Sequence, residues 1–297
     1  MLRNKQAKSS NGLPFGCLQS RYREGCGIHW ASFARDGGRV IIVLRRPLLL
    51  GNLGVIFLLF TVIGCSDSNV NRISSVPLNW AHELLLPEKL RYELTNDTGE
   101  LVGLGIFQSY ISSRDSSLIV LEERYSRADN DEANDTVTTL VSSADFSAVG
   151  GTRAVEQMTE VDIQSVSYSW EILQTNEEKK MLRKIDNLTD SEPIRTKGLP
   201  NLDIYANSSS IWLWRQLPLE IGYTASYMTV DPYEEKWQLV SITVPQSEVL
   251  TMSFGDTPVW RVLIRSGRAT RSAWIEQAEP HRVLKWDNGL TIMTLID

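Results

Sequence analysis

RVLKWDNGLTIMTLI, residues 282–296, is the stretch on which the fold turns. Two apolar-rich runs, Arg282 to Trp286 and Leu290 to Ile296, flank Asp287-Asn288-Gly289. Asn-Gly between such runs is the strongest short hairpin signal, because a type I′ turn needs positive φ at both central positions. The spacing predicts two antiparallel strands joined by a tight turn, and the texture of these strands recurs upstream.

Working back from this hairpin, strands are expected at Ile221 to Val230, Trp237 to Val244, Ser247 to Phe254, Val259 to Arg265 and Arg271 to Gln277. Ahead of them Ser208-Ser209-Ser210 runs into Ile211-Trp212-Leu213-Trp214 and stops before Pro218. Serine before an apolar run with proline after it reads as a capped single helical turn. In the first half, Leu90 to Leu94 alternates apolar and polar residues as a half-buried strand does. Asn96 to Glu100 is a turn, and Leu101 to Ile111 returns, with Gly103 and Gly105 marking a bulge or strong curvature. Leu118 to Tyr125, Thr136 to Val141, Val161 to Leu173 and Glu177 to Ile185 follow as strands. Arg127 to Asp135 reads as a mobile polar tip and residues 186–210 as a long irregular link. A brief helix is expected from Val76 to Leu86, stopped by Pro87.

Ten or so antiparallel strands in meander order define an all-β, mainly antiparallel class: a strongly curved sheet or half-open barrel with one or two short helices. The second half also resembles a known family. Its run of RQLPL, SFGDTPVWRVLI and RSAWIEQAEPHRVLKWDNG, within Ile211 to Gly289, is similar to an exported bacterial domain-of-unknown-function family. That resemblance implies a curved antiparallel sheet like that of the lipoprotein-localisation factors, together with export; it implies no activity.

The other organising stretch is Leu48 to Cys65, LLLGNLGVIFLLFTVIGC, in which only Asn52 is neither apolar nor small, apart from the closing cysteine. Arg45 and Arg46 precede it, giving the basic, apolar and small-residue layout of a secretory signal. The run is short for a spanning helix, which needs ~20 apolar residues. Val62-Ile63-Gly64-Cys65 resembles the lipobox of bacterial lipoproteins, in which the cysteine sulfur takes a diacylglycerol and the signal is cut before it. The resemblance makes Cys65 the lipid-attachment residue. An uncleaved signal-anchor helix and twin-arginine export are the competing readings; Leu44 and Pro47 do not fit the latter.

These signals divide the chain into a leader at 1–47, a signal peptide at 48–64, a tether at 65–76 and a single β domain at 77–297. The leader carries nine Lys/Arg against Glu24 and Asp36 and shows no sustained period, which is consistent with a true start near Val43 or Leu44. From Cys65 onward there are 21 basic and 34 acidic side chains, a formal charge of −13 that argues against a nucleic-acid partner. Beyond Cys65 that part holds no cysteine and only His82 and His281, so neither a metal site nor a cofactor is expected. His82, alone on its short helix, reads as packing.

The chain carries no G-x-S-x-G elbow, H-E-x-x-H or phosphate loop. Glu276, Glu279, His281 and Asp287 gather near the last hairpin, but Glu279-Pro280-His281 reads more simply as an exposed turn. Aromatic residues are the positive lead. Trp212, Trp214, Tyr223 and Tyr227 are the candidate ligand-binding residues, placed to line an apolar hollow on the concave face or, alternatively, to fill the core beneath it. The expected function is a non-enzymatic, membrane-tethered extracytoplasmic lipoprotein of the bacterial cell envelope. It would bind or carry an apolar small molecule or an envelope partner. An envelope hydrolase using carboxylates near the C-terminal hairpin and a structural assembly protein are the alternatives.

Overall fold

The computed structural model describes residues 78–128, 130–158, 163–187 and 193–296. The leader, signal, lipobox and tether lie outside the described residues. Among the described residues, no helix is long and apolar enough to cross a membrane.

Among the described residues, fifteen strands form one sheet. They are β1 Glu88–Asn96, β2 Leu101–Ile111, β3 Leu118–Arg127, β4 Asn130–Ser142 and β5 Ala148–Met158; β6 Ile163–Gln174, β7 Lys179–Asn187, β8 Arg195–Leu199, β9 Ile204–Ala206 and β10 Thr224–Asp231; and β11 Lys236–Met252, β12 Gly255–Ser266, β13 Ala269–Glu276, β14 Val283–Asp287 and β15 Thr291–Leu295. The hydrogen-bonded order runs from β8 down to β1, then β15 down to β9, so each half is a meander and β1 pairs with β15 between them. All ladders are antiparallel except β9 with β10. The protein is therefore all-β and mainly antiparallel, with one short helix.

Side chains alternate as the pleat demands. In β1, Leu90, Tyr92 and Leu94 are buried while Lys89, Arg91 and Glu93 are exposed. Gly103 and Gly105 take inward positions on β2, where a Cβ at Gly103 would lie 2.3 Å from the Ser126 carbonyl oxygen. The register slips between Leu94 and Thr95 opposite this point, the expected irregularity.

The sheet rolls up until its two ends meet without a ladder. Met181 of β7 packs with Ile204 of β9 and with Met228 and Val230 of β10. Lys179 donates to the Leu202 carbonyl at 2.6 Å, and Arg183 bridges to the Tyr233 carbonyl and the Glu235 carboxylate, each at 2.6 Å. Side chains thus close the seam that the backbone leaves open, making a half-open barrel. A 3-10 turn, Asn207–Ser209, leads into α1, Ser210–Trp214, which fills the interior with buried Ile211, Trp212, Leu213 and Trp214.

Several expectations need correction. The segment expected as a helix is, in its described part, extended coil from residue 78 to residue 85. Leu78, Trp80, Leu84 and Leu86 pack on the core at even positions while the odd positions between them are exposed, the alternation of an extended strap rather than the i, i+3, i+4 spacing of a helix. Gly150 and Gly151, where no strand is expected from the sequence, lie inside β5. A Cβ at Gly151 would meet the Thr138 carbonyl oxygen at 2.3 Å and Trp170 Nε1 at 2.9 Å, so glycine admits the indole. Described residues 130–135 belong to β4 rather than to a mobile tip. The link at 186–210 contains β8 and β9; residues 188–192 lie outside the description, as do 161 and 162 at the start of the strand expected from Val161 to Leu173. Trp237 to Phe254 is one long strand through Met252, bent by a bulge between Thr243 and Gln246. The final hairpin is present, but its turn is not type I′: Gly289 has φ +89° and Asn288 does not have positive φ. Asn288 Oδ1 instead accepts from the backbone N–H groups of Leu290 and Thr291.

Candidate functional site

The interior has two dissimilar ends. At one, Arg215, immediately after α1, donates to both carboxylate oxygens of Glu88 at 2.5 and 2.8 Å and to the Pro280 carbonyl at 3.1 Å. Side-chain exposures of 1% and 8% show how dry this pair is. Tyr92 donates to the Val283 carbonyl at 2.9 Å nearby, and burial pushes its hydroxyl pKa well up. At the other end, α1 stops short of filling the barrel and leaves a cavity of about 390 Å³.

Phe107, Ile211, Trp214, Tyr227, Ile264 and Met293 form the apolar wall of this cavity. Trp214 Nε1 donates to the Tyr227 hydroxyl at 2.9 Å, and its ring lies 4.9 Å from that of Trp286. This anchoring removes the one polar group on the Trp214 ring from play and presents its hydrocarbon to the hollow. The serine cap expected for α1 is not made: the helix has no side-chain cap, and Ser209 Oγ instead donates to the Ala206 carbonyl at 2.8 Å. Ser208 bonds Thr139 of β4 at 2.6 Å, which ties the start of the plug to the wall.

The polar end is built from β3, β4 and β5. Tyr125 donates to Glu123 at 2.8 Å, and Arg153 holds both oxygens of Asp135 at 2.9 and 2.6 Å while stacking over Tyr233 at 5.2 Å. Burial, helped by the charge on Asp135, pushes the Glu123 carboxyl up to about 8 against the pull of Tyr125 and Arg153. At neutral pH Glu123 therefore keeps its proton and can donate a hydrogen bond. Burial also raises Asp231, whose Oδ1 accepts from the backbone N–H groups of Tyr233 and Glu234. Leu290, 55% exposed, stands at the rim.

Of the four aromatic candidates, Trp214 and Tyr227 line the cavity and Trp212 and Tyr223 do not. Trp212 is 1% exposed and packs against Phe107 at 5.7 Å in the core. Tyr223 is partly buried against the edge of that core. Sequence reasoning missed Glu123, Asp135 and Arg153, although a signal existed. Each falls in the inward phase of its strand, with Leu121 and Tyr125, with Val137 and Thr139, and with Gly151 and Val155 respectively. A charge in phase with a buried stripe is a charge facing the interior.

The carboxylates of the C-terminal hairpin do not converge as an acid/base set. Glu276 is held by Arg282 at 2.9 and 3.2 Å, and Asp287 accepts from the Gly289 N–H at 2.8 Å. His281, expected in an exposed turn, is buried.

No family model and no curated protein matches the chain. Among solved structures, the β-barrel-like protein of domain of unknown function DUF1849 from Brucella abortus is similar at 12% identity and a TM-score of 0.46. The similarity covers 72% of this chain and 98% of that one. The description of that protein names a shape and no activity.

Proposed function

We propose that this protein is a non-enzymatic binding module, tethered outside the cytosol by lipid on Cys65, whose barrel takes an amphipathic small molecule. The cavity carries the reading: about 390 Å³ of space with an aromatic and aliphatic wall and a hydrogen-bonding end. That volume lies within the range of small-molecule sites, ~300–1,000 Å³, and the mixture of a broad apolar wall with a few fixed polar groups is typical of them. The apolar body of the ligand would lie on Trp214, Phe107 and Tyr227. Its polar end would meet Glu123 and Tyr125, where a protonated carboxyl favours an acceptor such as a carbonyl or ester. The lipid tether rests on the sequence from Leu48 to Cys65.

Filling the hollow tests the reading. Val137, on β4 opposite Glu123, faces the cavity. Wild-type chain should bind an anilinonaphthalene sulfonate probe saturably, and Val137→Trp should bind it at least about tenfold more weakly while melting as a single transition. Equal binding by both proteins would end the proposal. Labelled fatty acid should enter wild type but not Cys65→Ala, which should also leave the membrane fraction; an equally retained Cys65→Ala variant would remove the tether.

A further inference from the structure

At the end of the barrel away from the cavity, two distant segments meet. The extended strap ahead of β1 is fixed by backbone: the N–H groups of Ala81 and His82 both donate to the Gln216 carbonyl, at 2.8 and 3.3 Å. This contact places the His82 side chain on the connection between β13 and β14. The imidazole of His281 lies there, ring centroid to ring centroid 4.1 Å from His82, and Glu279 stands beside both. One donor atom from each of the three side chains lies within 4.8 Å of the other two. His82 is therefore not the solitary packing residue of the sequence expectation.

His281 carries the argument. It is 5% exposed, packed 5.5 Å from Trp260, and its backbone takes φ +58°, a left-handed conformation that costs a residue bearing a Cβ. Its Nδ1 lies 3.1 Å from the Glu276 carbonyl, an acceptor that fixes the proton on Nδ1. Its Nε2 is then a buried lone pair, and it finds no hydrogen-bond partner among the described residues. An imidazole whose one nitrogen donates to a carbonyl while the other is left bare is oriented as metal-ligating histidines are. Leaving such a buried atom unsatisfied is costly, so an occupant for it is expected.

We propose that His82, Glu279 and His281 bind a divalent transition-metal ion of the zinc class. Two imidazoles and one carboxylate form a borderline donor set that suits Zn(II) and its neighbours, whereas Mg(II) and Ca(II) demand oxygen ligands. Three protein ligands leave one position of a tetrahedral ion for water or an outside ligand. Metal–ligand bonds of ~2.0–2.1 Å would draw the donors to roughly 3.3 Å apart, so the site must contract on loading. Exposed Glu279 and the half-buried side chain of His82 make that movement, while buried His281 stays fixed. The ion would fasten the strap to the barrel without using the amphiphile cavity. β3 reaches the strap end with Ile119 and the cavity with Glu123 and Tyr125.

Cobalt(II) reports such a site by its visible d–d bands. Full-length chain with Cys17, Cys26 and Cys65 alkylated is titrated with cobalt(II), then with zinc(II). The expected result is one equivalent of cobalt with intense bands, displaced by zinc and not by magnesium. His82→Ala and Glu279→Gln change accessible side chains and should each weaken cobalt binding by at least about tenfold with an unchanged melt in the metal-free state. Zinc should raise the melting temperature of wild type and not of His82→Ala. Absence of the bands in wild type, or bands of equal strength in both variants, would overturn the proposal.

Discussion

Two of the barrel's arginine–carboxylate pairs sit in opposite surroundings. Arg215 and Glu88 meet in a dry interior with 1% and 8% of their side chains exposed. Arg153 and Asp135 meet beside the cavity with 30% and 20% exposed. Both pairs are bidentate, so geometry does not separate them. What differs is how much water each charge has given up. A dry pair is costly to break because its partner is left charged and unsolvated, whereas a pair at a wet wall can be rescued by solvent. One end of the barrel is organised for rigidity and the other for adaptable contact.

The largest expected effect therefore belongs to the dry end. Arg215→Ala leaves the Glu88 carboxylate buried without its cation and should cost about 3–5 kcal/mol, read as a lower urea midpoint. A loss no greater than that of Arg153→Ala would erase the contrast between the two ends. Next comes Glu123→Gln, whose effect depends on pH. The folded-state pKa of Glu123, about 8, lies above the ordinary 4.5, so the folded protein holds a proton that the unfolded chain releases. The contribution of Glu123 to stability is complete below about pH 4.5 and is lost as pH rises through about 8. The slope is at most ~1.4 kcal/mol per pH unit for one proton. Glu123→Gln should flatten the fall in melting temperature between pH 5 and pH 9; parallel profiles would show that the carboxyl is wetter than its position implies. Arg153→Ala follows, at about 1 kcal/mol, because its partner faces a cavity that water can enter.

Why the sequence revealed some of this and concealed the rest follows from periodicity. β2 is legible to the residue, Leu101 to Ile111, because turn residues bound it on one side and its alternation is regular. The strap from Leu78 to Leu86 was misread because Pro87 after Leu84-Leu85-Leu86 suggests a helix stop, although its core-facing residues alternate with period two; the Gln216 carbonyl, far away in sequence, holds it extended. β5 was concealed by Gly150-Gly151, where a Cβ would strike atoms of the neighbouring strands: the Trp170 carbonyl at Gly150, and the Thr138 carbonyl and Trp170 ring at Gly151. At the site, Trp214 and Tyr227 were legible as aromatics on a concave face, and Trp212, roughly half a turn from Trp214 on α1, fell into the core. Glu123 and Arg153 were concealed because charges in strands are usually assigned to solvent, although their phase pointed inward. The meeting of His82 with His281 could not be read at all, since it depends on a strap held by backbone hydrogen bonds to a third segment.

The smallest effect on stability, and the sharpest test of function, comes from the rim. Leu290 is 55% exposed in the last hairpin loop and contributes little buried area, so Leu290→Gln should change stability by no more than about 0.5 kcal/mol. Yet it borders the cavity beside Asn288 and Trp286, where an apolar ligand must pass or rest. If the hollow takes an amphiphile through this opening, Leu290→Gln should weaken probe binding two- to tenfold, roughly the 1 kcal/mol that a partly buried leucine contributes. Stopped-flow fluorescence separates the two roles of such a residue. A resting contact raises the dissociation rate alone, whereas a gate changes association and dissociation together. Binding that ignores Leu290→Gln but disappears in Val137→Trp would place the entrance elsewhere along the seam between β7 and β10, where side chains close the barrel without a ladder.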